Sequence, residues 1–136
     1  MSKTSLVILS RKAYFSAGVR YFNSTWTEDQ NQKVFGDSSS EYGHGYNFIL
    51  EARLAGHRDP KTSLVVNLTD VEKDLKEVVA LLNKKHLGYE VDFFKGRVPT
   101  VENIAQYCFL ELRKRLGSLL IGVRLRQGED DWVDII

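Results

Sequence analysis

Two stretches of helical periodicity lie side by side in the middle of this chain, and strand-like alternation flanks them on both sides. No other feature limits the fold as much. Val71, Leu75, Val78 and Leu82 recur at intervals of four, three and four residues, which places them on one face of a helix. Thr69-Asp70-Val71-Glu72 predicts a capping box at its start, and Gly88 predicts its stop. Lys84 and Lys85 then fall near the negative end of the helix dipole. Val101, Ala105, Cys108, Leu112 and Leu116 predict a second helix, with Thr100 as its N-cap and Gly117 just beyond it. Arg113, Lys114 and Arg115 suit its C-terminal end.

The flanks alternate with a period of two. Leu119, Ile121, Val123 and Leu125 predict one strand, with Arg124 and Arg126 on its other face. Gln127-Gly128-Glu129-Asp130 reads as a turn, and residues 132–136 return as a partner strand. Upstream, Phe48, Leu50, Ala52 and Leu54 alternate against Asn47, Glu51 and Arg53, and residues 6–17 read as an earlier strand. The order β-β-α-α-β-β predicts a single α+β domain over residues 1–136. Its sheet is antiparallel and four-stranded, with both helices on one face. Residues 21–42 break the pattern as a long polar loop, and loops of that length are usually functional or mobile.

Charge and cysteine content exclude several classes of function. With 19 basic and 18 acidic residues the net charge is +1, so the chain has no general attraction for nucleic acid or anionic membrane. No apolar run approaches the ~20 residues a membrane-spanning helix needs. Cys108 is the only cysteine, which rules out an intrachain disulfide and makes a cytoplasmic setting the expectation.

Candidate chemistry is sparse. His44 stands between Gly43 and Gly45, where backbone can approach a ligand closely. Zinc, however, needs three or four converging ligands, and neither His57 nor His86 has a partner at ligand spacing. A hydrogen-bonded structural role is therefore the expectation for these histidines. Cys108 reads as a small buried hydrophobe. Ser38-Ser39-Ser40 has no histidine nearby in sequence to activate a hydroxyl, so it reads as solvated loop. Glu102 has two readings. A carboxylate favours the first turn of a helix, and a carboxylate there also suits the amidine-like edge of a heterocycle through paired hydrogen bonds.

Several short pieces, in order, carry a resemblance. They are Phe15-Ser16-Ala17, Gly43-His44-Gly45 followed by Asn47, and Val65-Val66-Asn67-Leu68. His86-Leu87, Val98-Pro99-Thr100 and Glu102-Asn103 come after them. Together they resemble the 6-pyruvoyltetrahydropterin synthase and 6-carboxytetrahydropterin synthase family from Phe15 to Val133. The resemblance implies the tunnelling fold, in which trimers close a barrel and usually pair into hexamers, with active sites between subunits. It also implies a pterin anchored by Glu102, with Thr100 beside it.

The same resemblance marks departures. The family's three zinc-binding histidines correspond here to Val19, His44 and Tyr46. Its catalytic cysteine corresponds to Ser38, its Asp-His pair to Asn83 and Lys84, and an acidic residue of the penultimate strand to Gln127. One imidazole cannot replace three, so the expectation is a pterin binder with no cofactor, no zinc and no lyase activity. Substrate-binding candidates are Glu102, Thr100, Gln127 and His44. A metal-independent lyase or aldolase built on Lys84, with Ser38 or Tyr46 as proton donor or acceptor, is the alternative. An assembly subunit of an active homologue that binds no ligand is a third reading.

Overall fold

The computed structural model describes residues 5–136. Its longest elements are two 13-residue strands, β1 (Val7–Val19) and β2 (His44–Gly56), paired antiparallel from Val7↔Gly56 to Val19↔His44. Alternation sends Phe15, Ala17 and Val19 of β1, with Phe48, Leu50, Ala52 and Leu54 of β2, into one buried layer. Both strands run further toward the candidate site than their apolar patterns predict. His44 and Tyr46 therefore lie within β2, not ahead of it.

Between these strands the expected loop holds a helix, α1 (Glu28–Phe35), followed by a 3-10 turn at Gly36–Ser39. Thr27 and Gln30 form a reciprocal capping box at its start. Asn31 is fully buried and ties α1 to the end of β1. Its Oδ1 accepts from Asn23 N at 2.7 Å, and its Nδ2 donates to the carbonyls of Asn23 and Thr27 at 3.0 Å each.

The first predicted helix is α2 (Leu68–Ala80), and Asn67 rather than Thr69 caps it, accepting from Thr69 N at 3.0 Å. It ends well before Gly88, so Lys84 and Lys85 do not sit at its terminus. Lys84 takes a left-handed backbone, φ 62°, which turns the chain back onto the sheet. Lys85–His86 then forms β3, a two-residue strand parallel to β1. A single turn, α3 (Leu87–Glu90), follows. The second predicted helix, α4 (Val101–Leu116), has its foreseen caps. Thr100 Oγ1 accepts from Asn103 N, and Gly117 ends it with φ 58°.

β4 (Leu120–Gln127) and β5 (Asp131–Ile135) complete a five-stranded sheet in the order β3-β1-β2-β4-β5. The sheet is thus mixed and has one strand more than expected, because β3 is too short to leave a pattern. A register shift at Arg53/Leu54 also breaks the predicted alternation of β4. Leu120 pairs with Leu54 and enters the core, while Ile121 faces outward. Helices α2 and α4 pack on one face, where Val71, Leu75, Val78, Ile104, Cys108 and Leu112 meet the strands. The opposite face carries Tyr14, Glu51, Arg53, Arg124, Arg126, Trp132 and Asp134. Among the described residues no helix is long and apolar enough to cross a membrane.

Replacing Asn31 strands buried partners on two segments at once. Asn31→Ala is expected to cost about 2–3 kcal/mol in urea denaturation. Asn31→Asp, which keeps the acceptor but not the donors, should fall between it and the wild type.

Candidate functional site

The β1–β2 ladder brings the first candidate residues together. Val19 pairs with His44 and Ala17 with Tyr46. Gly43, just outside the ladder, takes φ 68°, and a Cβ there would stand 2.2 Å from the Val19 carbonyl oxygen. Only glycine permits that approach.

His44 is held edge-on between two phenol rings, with centroids 5.3 Å from Tyr21 and 5.1 Å from Tyr46. Tyr46 continues onto Phe48 and Phe48 onto Phe15, at 5.8 and 4.9 Å. In the other direction Tyr21 meets Phe35 of α1, and Phe35 meets Trp26. An unbroken file of rings therefore runs from the core through His44 to the surface. The Tyr21 hydroxyl donates to Gln127 Oε1 at 3.4 Å, across 106 residues of sequence. Burial, with the nearby Tyr46 and the Glu102 carboxylate, pushes the Tyr21 phenol up to about 12. Glu102 is exposed in the first turn of α4, the turn Thr100 caps.

Lys84 shares a groove with Tyr46. Its amide donates to the Ser16 carbonyl at 2.6 Å, and its side chain lines an open groove of about 520 Å³ with Ser16, Asn47, Tyr46 and His86. Asn83 has a structural task, since its Oδ1 accepts from Ser16 N at 3.0 Å. Ser38 enters the cluster through its backbone, its carbonyl accepting from Tyr21 N at 2.9 Å. It belongs to the 3-10 turn rather than to a solvated loop. The structure thus gathers His44, Tyr46, Gln127 and Glu102 around Tyr21. Lys84 stands in an adjoining groove that Tyr46 shares.

Two histidines depart from the hydrogen-bonded role expected of them. His44 Nε2 and both ring nitrogens of His86 are buried without a hydrogen-bond partner among the described residues. His86 stacks on Tyr89 with centroids 4.1 Å apart and abuts Gly18 and Gly43. Burial lowers the pKa of both imidazoles from 6.5, and for His86 the Glu90 carboxylate partly opposes this. Tyr21 was hidden in the polar segment that begins with it. Phe15, Ala17 and Val19 share a face, and extending that spacing by two residues reaches Tyr21.

Zinc does not fit the positions that the resemblance assigns to it. Val19 is a fully buried hydrocarbon and Tyr46 offers a phenol, leaving His44 as the one imidazole. Among the described residues no three His, Cys, Asp or Glu side chains form a group able to hold a metal.

The mixed sheet with two helices on one face is that of a tunnelling-fold subunit, and its exposed candidate residues cluster where β1, β2, β4 and α4 meet. The sequence model described as 6-pyruvoyl tetrahydropterin synthase matches residues 8–135. The chain belongs to that family. It is 35% identical over 127 residues to the human 6-pyruvoyl tetrahydrobiopterin synthase, covering 92% of this chain and 88% of the relative. A 6-pyruvoyl tetrahydrobiopterin synthase from Poecilia reticulata is 34% identical over 127 residues, covering 92% and 86%. The solved 6-pyruvoyl tetrahydropterin synthase of Caenorhabditis elegans superposes with a TM-score of 0.94 at 28% identity, over 99% of this chain and 98% of that one.

The two orphaned imidazoles set the acid sensitivity. Their folded pKa values lie below the unfolded 6.5, so the unfolded chain takes up protons first as pH falls. Their contribution is complete above pH 6.5 and is lost as pH falls through the folded values. Glu72, Glu111 and Asp134, also depressed, act lower, below about 4.5. Denaturation midpoints should therefore drop as pH falls below 6.5, and less steeply in His44→Phe.

Proposed function

We propose that this chain is a zinc-free, pterin-binding member of the family that lacks the family's lyase activity. The observation that carries the reading is a contrast within one small region. The carboxylate at position 102 stands exposed near Tyr21, which Gln127 bonds, while the positions that the resemblance assigns to metal hold Val19 and Tyr46. A ring anchor persists where coordination chemistry has gone. Glu102 accepts two hydrogen bonds from the amino and N3 groups of a pterin, and Thr100 fixes the first turn of α4 that presents it. His44, neutral because burial lowers its pKa, faces the same ring. The single, buried Cys108 suits a cytoplasmic setting.

The subunit assembles by closing its sheet with copies of itself. Strand edges lie at β3 and β5, and the helix-free face carries both charge signs, as the inner wall of a barrel would. On one purified sample, elemental analysis is expected to find far less than one zinc per subunit, and light scattering a trimer or hexamer. Stoichiometric zinc would remove the first part of the proposal, and a clean monomer the second.

One observation favours a second reading, a metal-independent pterin lyase or aldolase. Lys84 holds a left-handed backbone beside the groove it shares with Tyr46, and such strain concentrates at functional sites.

Titration of neopterin into wild type, Glu102→Gln and Lys84→Ala separates the readings. Glu102→Gln is expected to lose about 2–3 kcal/mol, roughly 30- to 150-fold in affinity, with little change in Lys84→Ala. Tight binding lost only in Lys84→Ala would favour the lysine-dependent enzyme. Equal weak binding by all three would leave an assembly subunit that binds no ligand.

A further inference from the structure

We propose that a cavity at the β3 edge of the sheet binds a compact oxyanion, a phosphate or pyrophosphate group that is free or ends a small molecule. The proposal is independent of the pterin-binding reading. The cavity measures about 280 Å³ and lies between the chain that follows β1, the turn from β3 into α3 and the segment leading into α4. It shares no lining residue with the cluster of Tyr21, His44, Tyr46, Gln127 and Glu102.

Charge carries the inference. Arg20, Lys95 and Arg97 line the cavity, and no acidic residue does. In a chain of net charge +1, three cations around one small space focus a positive potential there. Both guanidiniums are already held in place. Arg20 Nε donates to the Ser39 carbonyl at 2.9 Å, and its guanidinium carbon sits 3.8 Å from the centroid of the Phe22 ring. Arg97 repeats the arrangement on another segment. Its Nη1 donates to the Phe93 carbonyl at 2.7 Å, and its guanidinium carbon sits 4.3 Å from the centroid of that residue's ring. A carbonyl and a ring fix each plane but leave further donors free, and a fork fixed in this way loses little entropy on gripping an oxyanion. Lys95 meets Asp92 at 3.0 Å, an exposed pair that contributes little. Between the two cations Gly96 takes φ 76° and has open space where a Cβ would stand, so no side chain covers the gap.

His86 adds a polar group without a partner. It lines the cavity, its Nδ1 edge lies next to Gly88, a further lining residue, and neither ring nitrogen is hydrogen-bonded among the described residues. A bound ion is one of the groups that accounts for a buried polar atom in that condition. Volume and charge together narrow the occupant. The space falls below the roughly 300–1,000 Å³ of sites for drug-sized ligands, so the ligand is compact. A monocarboxylate brings one negative charge to three cations, whereas a phosphate group brings up to two and pyrophosphate more.

Isothermal calorimetry on the full chain at constant ionic strength tests this with inorganic pyrophosphate, phenyl phosphate and acetate. The tighter of the two phosphates is expected to bind about tenfold or more above acetate, and which one it is separates a free anion from an ester. Lys95 and Arg97 are exposed, so changing them leaves the core intact. Arg97→Gln should weaken the phosphates about tenfold and Lys95→Gln about two- to threefold, with partial recovery in Arg97→Lys. Equal weak binding of all three anions would overturn the proposal, and so would variants that bind as the wild type does. Neopterin should bind equally with and without saturating pyrophosphate, and mutual exclusion would also overturn it. A wild type that binds pyrophosphate but not neopterin would remove the pterin-binding reading and leave this one standing.

Discussion

The antiparallel ladder between β1 and β2 is the interaction on which the rest of the structure depends. Each strand contributes 13 residues, and the pairing runs without a break from Val7↔Gly56 to Val19↔His44. One end supplies part of the wall against which α2 packs. The other end sets Val19, His44 and Tyr46 in their places. A slip of one residue would exchange the two faces, exposing Phe48 and Leu50 and burying Asn47 and Glu51. The cost of that exchange fixes the register, and the register fixes the site.

Packing holds that end of the ladder together. Val19 adds hydrocarbon to the core, and Tyr46 extends the ring file that joins Phe15 to His44. An imidazole so enclosed prefers to be neutral, and its Nε2 is left without a partner among the described residues. A buried polar atom in that condition is costly, and such atoms cluster where ligands bind. The region therefore combines a hydrophobic, well-packed interior with a polar front made by Tyr21, Gln127 and Glu102.

Elements with strong periodicity and ordinary caps were legible in the sequence. The α4 helix begins at Thr100 and stops at Gly117 as its residues imply, because capping and apolar spacing agree there. Three features escaped for physical reasons. A two-residue strand, β3, has no period to detect. The α1 helix is held largely by Asn31 and its own capping box, so its sequence looks polar although Thr27 and Gln30 spelled its start. The β4 bulge moved Ile121 out and Leu120 in, which strict alternation cannot foresee. At the site, motif order singled out Val19, His44, Tyr46 and Glu102, and the folded chain pairs Val19 with His44 and brings His44, Tyr46 and Glu102 near Tyr21. Tyr21 lay within reach of the β1 spacing, but its link to Gln127 did not, because that partner lies 106 residues away and only the folded sheet brings it near.

The burial of Val19 limits what position 19 can hold. A histidine at 19 would put a polar ring into a position with no solvent access and no partner, against the packing of β1. Position 19 therefore accepts hydrocarbon and resists a ring nitrogen, whatever side chains stand around it.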